Sequence, residues 1–441
     1  MFKKRWGIAL VSVMTTAAML TGCGGANTGG AGSSAEPQSS NSGKDSNQEV
    51  KLSVSWWGSQ ARHDDTLKVI SMYKEQNSHV TIEPEFSGFA GYWEKMAAQA
   101  AGNNLPDVMN QNFGDYLTQY TERGLLADLT PFIESGLIDV SHIDDAVLDL
   151  GRLDGKLVGI PLGLNGYGTI YDAEMFKNAG VPEPELGWTW ADATEAARKM
   201  KQNTPYGVHN MEIHNVAEIV LRQHGARIFN QDGTALGYED DSIIENLLAL
   251  KLNWIKEGLA PTLDVNMQHD TPENKLIVLG KLGMEFGWSS GIAGTSESAK
   301  RPLKLGPLPS DTGEYGGFLR PGMFFSIPES SKNKEEAAKF INYFVNDLEA
   351  GKVLRADRGV PVNSQIQEAL KSEVDDATLQ AFEYVEFLTK HGGPIDKNHP
   401  KSATEVMNAL KEIDEQVLYE RMTPAEGAKE FRKKAEQILS R

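Results

Sequence analysis

Between residues 51 and 113 the hydrophobic pattern switches repeatedly from a period of two to a helical period, and few folds accommodate that switching. Leu52, Val54 and Trp56 alternate with Ser53 and Ser55, which predicts a strand. Leu67, Ile70 and Tyr73 then follow at helical spacing. The stretch "VTIEPEF" (80–86) is a second alternating strand, "YWEKMAAQAAG" (92–102) a helix ended by glycine, and "PDVMN" (106–110) a third short strand. Such alternation favours an α/β sheet covered by helices.

Further along, "GIPLGLNGYGTIYD" (159–172) is extended and glycine-punctuated, too poor in helix signals to be a crossover, and marks a place for the chain to change lobe. Thr189 with Asp192 three residues on predicts a capped helix start, as does Thr423 with Glu426. Residues 243–257 are amphipathic, "KLGMEFGW" is a strand ending at Trp288, "GGFLRPGMFFSIP" (316–328) is extended enough to return to the first lobe, and 331–345 is a helix. No period of 20 to 50 residues recurs, so a solenoid is not expected.

The N-terminus opens with Lys3, Lys4 and Arg5 and an apolar run from Trp6 to Leu20, too short and too interrupted for a comfortable transmembrane helix. It reads as an export signal over residues 1–22. The run ends in "LTGC", Leu20 to Cys23, which resembles the bacterial lipoprotein processing site and implies a diacylglyceryl thioether on Cys23. Cys23 is the only cysteine, so the exported part has no disulfide, thiolate metal site or cysteine nucleophile. After the anchor, residues 24–48 hold no aliphatic side chain larger than alanine and no aromatic, so 23–48 is expected to be a flexible, lipid-anchored linker. From Glu49 onward 39 basic side chains face 59 acidic ones, a net charge of −20. That field repels nucleic acid and anionic lipid, and the membrane is reached only through the anchor.

"GWSSG", 287–291, matches G-x-S-x-G with Ser289 as nucleophile, but the one HGG lies downstream at 391–393 and "GIAG" is a poor helix start. The nine histidines are scattered, without an HExxH, and no phosphate-binding glycine loop is present. Neither a metal nor a cofactor is expected. What stands out instead is aromatic and amide residues at strand ends: Trp57 and Gly58, Phe86 and Phe89, Asn110, Gln111, Asn112 and Phe113, Asn165 and Tyr167, Trp288 and Ser289. In an open α/β sheet ligands lie beyond the carboxyl ends of strands, so these positions would face one crevice. Flat rings beside amides suit sugars. Trp56 and Phe86 read as core; Trp57 and Trp288 stand evenly between core and platform. The alternation sets Trp57 on the other face from Trp56, as a sugar platform, with Gly58 leaving room for the ligand.

These same residues carry a family likeness. "WWG" at the first strand's end, "AAGNNLPDVMNQNFGDYL", "GTIYDAEMFKNAGV" with "GWTWAD", "GKLGMEFGWSSG", "SIPESSKNKEEAAKFINYFV" and "RGVPVNS", in that order, resemble the extracellular solute-binding proteins of sugar ABC importers, the maltose-binding type. The resemblance implies a two-lobed α/β periplasmic-binding-protein fold whose hinge segments close the lobes on an oligosaccharide. It implies a monomer that presents the closed form to an ABC permease at the extracytoplasmic face of the membrane. The lobes would be 49–162 with 323–350, and 163–322 with 351–441. Family binding positions map onto Trp57, Gly58, Asn110 to Asn112, Asn165 to Tyr167 and Trp288; Phe89 and Ser289 complete the candidate set. Where maltose binders carry acids after the third strand this chain has amides, which argues against maltose. Arg62 with His63 looks like a variant seen in binders of plant cell-wall fragments. Arg62 is open to two readings, a bidentate grip on a uronate carboxylate or an exposed first-turn residue. The net charge favours the second unless the cleft is locally basic. Two other classes remain open: a lipid-anchored carbohydrate-active hydrolase or esterase, and a cell-wall adhesion module.

Overall fold

The computed structural model describes residues 49–269, 271–396 and 400–441; the export signal, Cys23 and the linker therefore lie outside the described residues. Strand β1, Val50–Trp57, forms where its alternation requires, with Leu52, Val54 and Trp56 fully buried. Its far end departs from alternation, because Ser55 and Trp57 are buried as well. A sheet covered by helices on both faces has no solvated side, so the period of two fades where the covering is complete. The Ser59 hydroxyl accepts from the Arg62 amide and opens helix Gln60–Gln76. Strand β2 (Val80–Ser87), helix Phe89–Ala101 and strand β3 (Val108–Gln111) follow, and β2 and β3 flank β1 in parallel.

After a small hairpin, β4 (Arg152–Leu153) with β5 (Lys156–Leu157), the chain enters β6 (Ile160–Asn165) and then β7 (Tyr167–Tyr171). Gly166 alone separates these two strands, yet they belong to different sheets. β7 is the centre of a three-stranded antiparallel sheet between β8 (Met284–Trp288) and β9 (Lys304–Gly306). β10 (Arg320–Ser326) returns to the first sheet and inserts antiparallel between β6 and β3. With β11 (Val360–Pro361) on β6, the larger sheet reads β11-β6-β10-β3-β1-β2.

Two sheets with helices around each give the two-lobed α/β architecture that the sequence implies. The expected capping boxes are both present, at Thr189 with Asp192 and at Thr423 with Glu426. The stretch after residue 350, assigned from the sequence to the second lobe, first stays with the larger sheet. Helix Leu348–Leu354 packs on Gln60–Gln76, and Val360 pairs with Leu164. The edge of β6 supplies the reason, since its free backbone groups need a partner. Helix Asp376–His391 then touches β6 and β11 of the larger sheet and β9 of the smaller. Among the described residues no helix is long and apolar enough to cross a membrane.

Candidate functional site

Gly58 and Arg62 show how the first strand's end is built. A Cβ on Gly58 would stand 2.4 Å from Arg62 Cδ, so the space that this glycine leaves is filled by Arg62 and not by a ligand. The Arg62 side chain folds back through that gap. Its Nε donates to Asp357 Oδ2 at 2.6 Å, one Nη donates to the Asp357 carbonyl at 2.8 Å, and the other reaches the Trp57 carbonyl at 3.4 Å. It is therefore neither an exposed first-turn residue nor a lone cation. Arg358 lies beside it, fully enclosed, with one Nη donating to Thr66 Oγ1 and the other to Asp357 Oδ2 while Nε is buried without a partner. Burial, and then the neighbouring Arg62, push the Arg358 guanidinium down to about 9.

Arg62, Asp357 and Arg358 border a cavity of ≈ 230 Å³ whose other walls are Asn112, Asn165, Trp288, Ser290, Arg320, Gly322 and Met323. Three guanidinium groups thus face a single lining carboxylate. Arg320 holds its charge 5.2 Å from the Trp288 ring centroid and 5.6 Å from that of Phe113. Asn165 is nearly buried and its Oδ1 lacks a partner. A small, basic, amide-lined pocket closed on one side by an indole can hold a ring bearing a carboxylate.

Two further chambers adjoin this arginine pocket. One, ≈ 420 Å³, shares Asn112 and Arg320 with it and reaches Gly114, Tyr116, Asn215, Glu218 and Asn230. The other, ≈ 670 Å³, shares Trp288 and Ser290 and reaches Tyr167, Asn210, Glu212 and Asn266. His214 and Lys411 border both chambers. Burial, with Lys411 next in weight, depresses His214 to about 4, while burial raises the Glu218 carboxyl. The imidazole of His214 therefore favours its neutral, hydrogen-bonding form.

Of the candidates named from the sequence, the structure brings Arg62, Asn112, Asn165 and Trp288 into the arginine pocket and Tyr167 into the largest chamber. Several others lie elsewhere. Trp57 is enclosed by Phe89, Tyr92 and Trp93 at centroid distances of 5.5, 5.1 and 5.6 Å, because helix Phe89–Ala101 covers that face of the sheet. Phe89 stays 47% exposed at that helix's start and borders none of the three cavities. Phe86, read as core, is exposed on the edge strand, where it covers Trp56 and His63. Trp56 is core, its indole N–H donating to His63 Nδ1 at 3.1 Å. Asn110 and Gln111 are fully buried behind the cleft, their side-chain N–H groups aimed at Met323 and Met109 sulfurs.

Ser289 has no access either. It is fully buried, its Oγ accepts from the Gly166 amide at 3.1 Å, and its own amide donates to the Gly166 carbonyl at 2.8 Å. It pins the strand switch, and Ser290 borders the cleft instead. No group of three or more metal-ligating side chains occurs among the described residues. Arg320, Arg358, Asp357 and Tyr116 were missed by the sequence reading. Arg320 and Arg358 do sit in the two motifs "LRPG" and "RGVPVNS", the one signal that could have found them.

The profile of a bacterial extracellular solute-binding protein family matches residues 68–383. A Brucella abortus binding protein is 26% identical over 273 residues, 60% of this chain and 65% of that protein. The chain thus spans less than two thirds of the length of the curated relatives that it matches. A family 1 extracellular solute-binding protein from Alicyclobacillus acidocaldarius superposes with a TM-score of 0.72 at 28% identity, covering 89% of this chain and 99% of that one. A periplasmic oligogalacturonide-binding protein from Yersinia enterocolitica, solved with saturated digalacturonic acid, superposes with a TM-score of 0.76 at 22% identity, covering 89% and 100%.

Proposed function

The chain belongs to the bacterial extracellular solute-binding proteins, and from that premise we propose that it captures an acidic oligosaccharide in the cleft around Trp288 and delivers it to an ABC permease. The observation that carries the reading is one cavity bordered by an indole face, two amides and three guanidinium groups. A net charge of −20 over residues 49–441 disfavours an anion everywhere except where the surface is locally basic, and this pocket is such a place. The uronide bound by the Yersinia enterocolitica protein is a ligand of that chemistry. Arg62, Arg320 and Arg358 receive the carboxylate, Trp288 supplies the apolar platform, and Asn112 and Asn165 meet ring hydroxyls.

The site's walls come from both sheets: β3 and β6 end and antiparallel β10 begins on one side, and β8 ends on the other. Only a closed arrangement makes both sets of contacts at once, so ligand shifts the population toward closure. The lobes divide at the switch from Asn165 to Tyr167, and a thioether-linked lipid on Cys23 keeps the monomer at the extracytoplasmic membrane face. Micromolar affinity, roughly −8 kcal/mol, leaves release to the permease feasible. A serine-hydrolase reading has little to stand on, because Ser289 is buried and bonded to Gly166.

The test is a thermal-shift screen of neutral, uronic and branched oligosaccharides, each uronide paired with its carboxyl-reduced form. Uronides should raise the transition and their reduced forms should raise it less. A transition unmoved by every sugar contradicts the reading, and chromatography showing cleaved sugar after incubation would restore the enzyme.

A further inference from the structure

The arginine pocket already holds a carboxylate of the protein itself. Asp357 Oδ2 accepts from Arg62 Nε at 2.6 Å and from an Arg358 Nη at 3.3 Å, so one oxygen bridges two guanidinium groups. Its Oδ1 meets an Arg62 Nη at the longer distance of 3.4 Å. These are the donors that a ligand carboxylate in the ≈ 230 Å³ cavity would need. The Asp357 side chain is 26% exposed and that of Arg358 4%, so of the two it is the acid that has room to turn aside.

The backbone sets this acid in place. Helix Leu348–Leu354 ends at Arg355, which takes φ 49° and ψ −125°, a conformation that is costly for a residue with a side chain. Gly359 closes the loop at φ 102°, where a Cβ would stand 2.7 Å from Asn165 Nδ2 and from the Leu164 carbonyl. Between them the Asp357 carbonyl accepts from an Arg62 Nη at 2.8 Å. Asp357 lies in no helix or strand, so turning its side chain breaks no ladder of backbone bonds.

We infer that Asp357 is an internal competitor for the ligand: it occupies Arg62 and Arg358 in the empty cleft and is displaced from them by an incoming carboxylate. It thereby sets how strongly the pocket prefers an acidic sugar to a neutral one. Two carboxylates on one pair of guanidinium groups repel each other, and that repulsion weakens a uronide while sparing a ligand without charge. In the empty cleft the same pairing keeps two enclosed cations from standing uncompensated. The inference rests on the acidic-oligosaccharide reading and deepens it. An acid that merely tied the loop to helix Gln60–Gln76 would not discriminate between a uronide and its carboxyl-reduced form.

Calorimetric titration of the full chain and of Asp357→Asn with trigalacturonate and with its carboxyl-reduced form tests it. The asparagine keeps the shape and an acceptor oxygen for Arg62 and removes the charge. The ratio of uronide to reduced-form affinity should rise at least about tenfold in Asp357→Asn, whereas Asp357→Glu should leave that ratio within about threefold of wild type. Should Asp357→Asn fail to fold, a crystal structure of wild type with trigalacturonate decides: the Arg62 Nε to Asp357 Oδ2 contact should open beyond about 4 Å, with a ligand carboxylate in its place. An unchanged or lowered ratio in Asp357→Asn, or that contact intact in the complex, overturns the inference while leaving acidic-sugar binding in place. A wild type that binds no uronide overturns the acidic-oligosaccharide reading and the inference with it.

Discussion

At the residue scale, the two adjacent tryptophans share one role by different routes. Trp56 is core through the alternating face, and Trp57 is core because a second helix layer covers the other face. Trp57→Ala should therefore cost about 3–5 kcal/mol of stability, read by urea denaturation, with ligand affinity of the folded fraction little changed. The reverse pattern would return Trp57 to the ligand. His214 gives a pH signature. Its folded pKa is depressed to about 4 by burial, Lys411, Lys251 and Arg320, with Glu212 opposing. A base with a lowered folded pKa disfavours protonation of the native state, so its effect is to weaken stability as pH falls from about 6.5 to about 4. His214→Gln should flatten denaturation midpoints across that window. Asn112, Asn165 and Trp288 were legible as cleft positions because each sits at or just beyond a strand end that the local pattern marks, whereas Arg62 came only from the resemblance, with two readings open. Arg358 and Tyr116 were not, because what makes them matter is Asp357, Thr66 and Trp93 arriving from other elements.

At the element scale, the backbone just past the strand switch leaves no room for a side chain. A Cβ on Gly168 would stand 2.4 Å from the Tyr384 hydroxyl and 2.8 Å from the Gly306 carbonyl. That hydroxyl donates to the Tyr167 carbonyl at 3.0 Å, tying helix Asp376–His391 to β7. Gly168→Ala should cost about 1–3 kcal/mol by overpacking, measured as a lowered thermal transition; an unchanged transition would mean that the helix is free to shift. The helix starts at Thr189 and Thr423, the strands β1 to β3 and the extended segments around 160 and 320 were all readable, since caps and periods are local chemistry. The antiparallel insertion of β10 between β3 and β6 was not, because its partners are some 160 and 210 residues away and no local pattern encodes them. The same holds for β11, whose two residues are too few for any periodicity.

At the scale of the whole molecule, a strongly acidic chain keeps a basic pocket where its two sheets' strand ends meet. That contrast ties the fold to the proposed task, in which closure would bring the arginines of the larger sheet's side onto a ligand resting against Trp288 of the smaller sheet. The proposed task depends on ligand-driven closure. Small-angle X-ray scattering of the full chain, with and without a saturating trigalacturonate, tests it most directly. Ligand-driven closure should give a smaller radius of gyration with the uronide and a lesser change with its carboxyl-reduced form at equal concentration. An unchanged radius of gyration, under conditions where calorimetry shows the sugar bound, would contradict it.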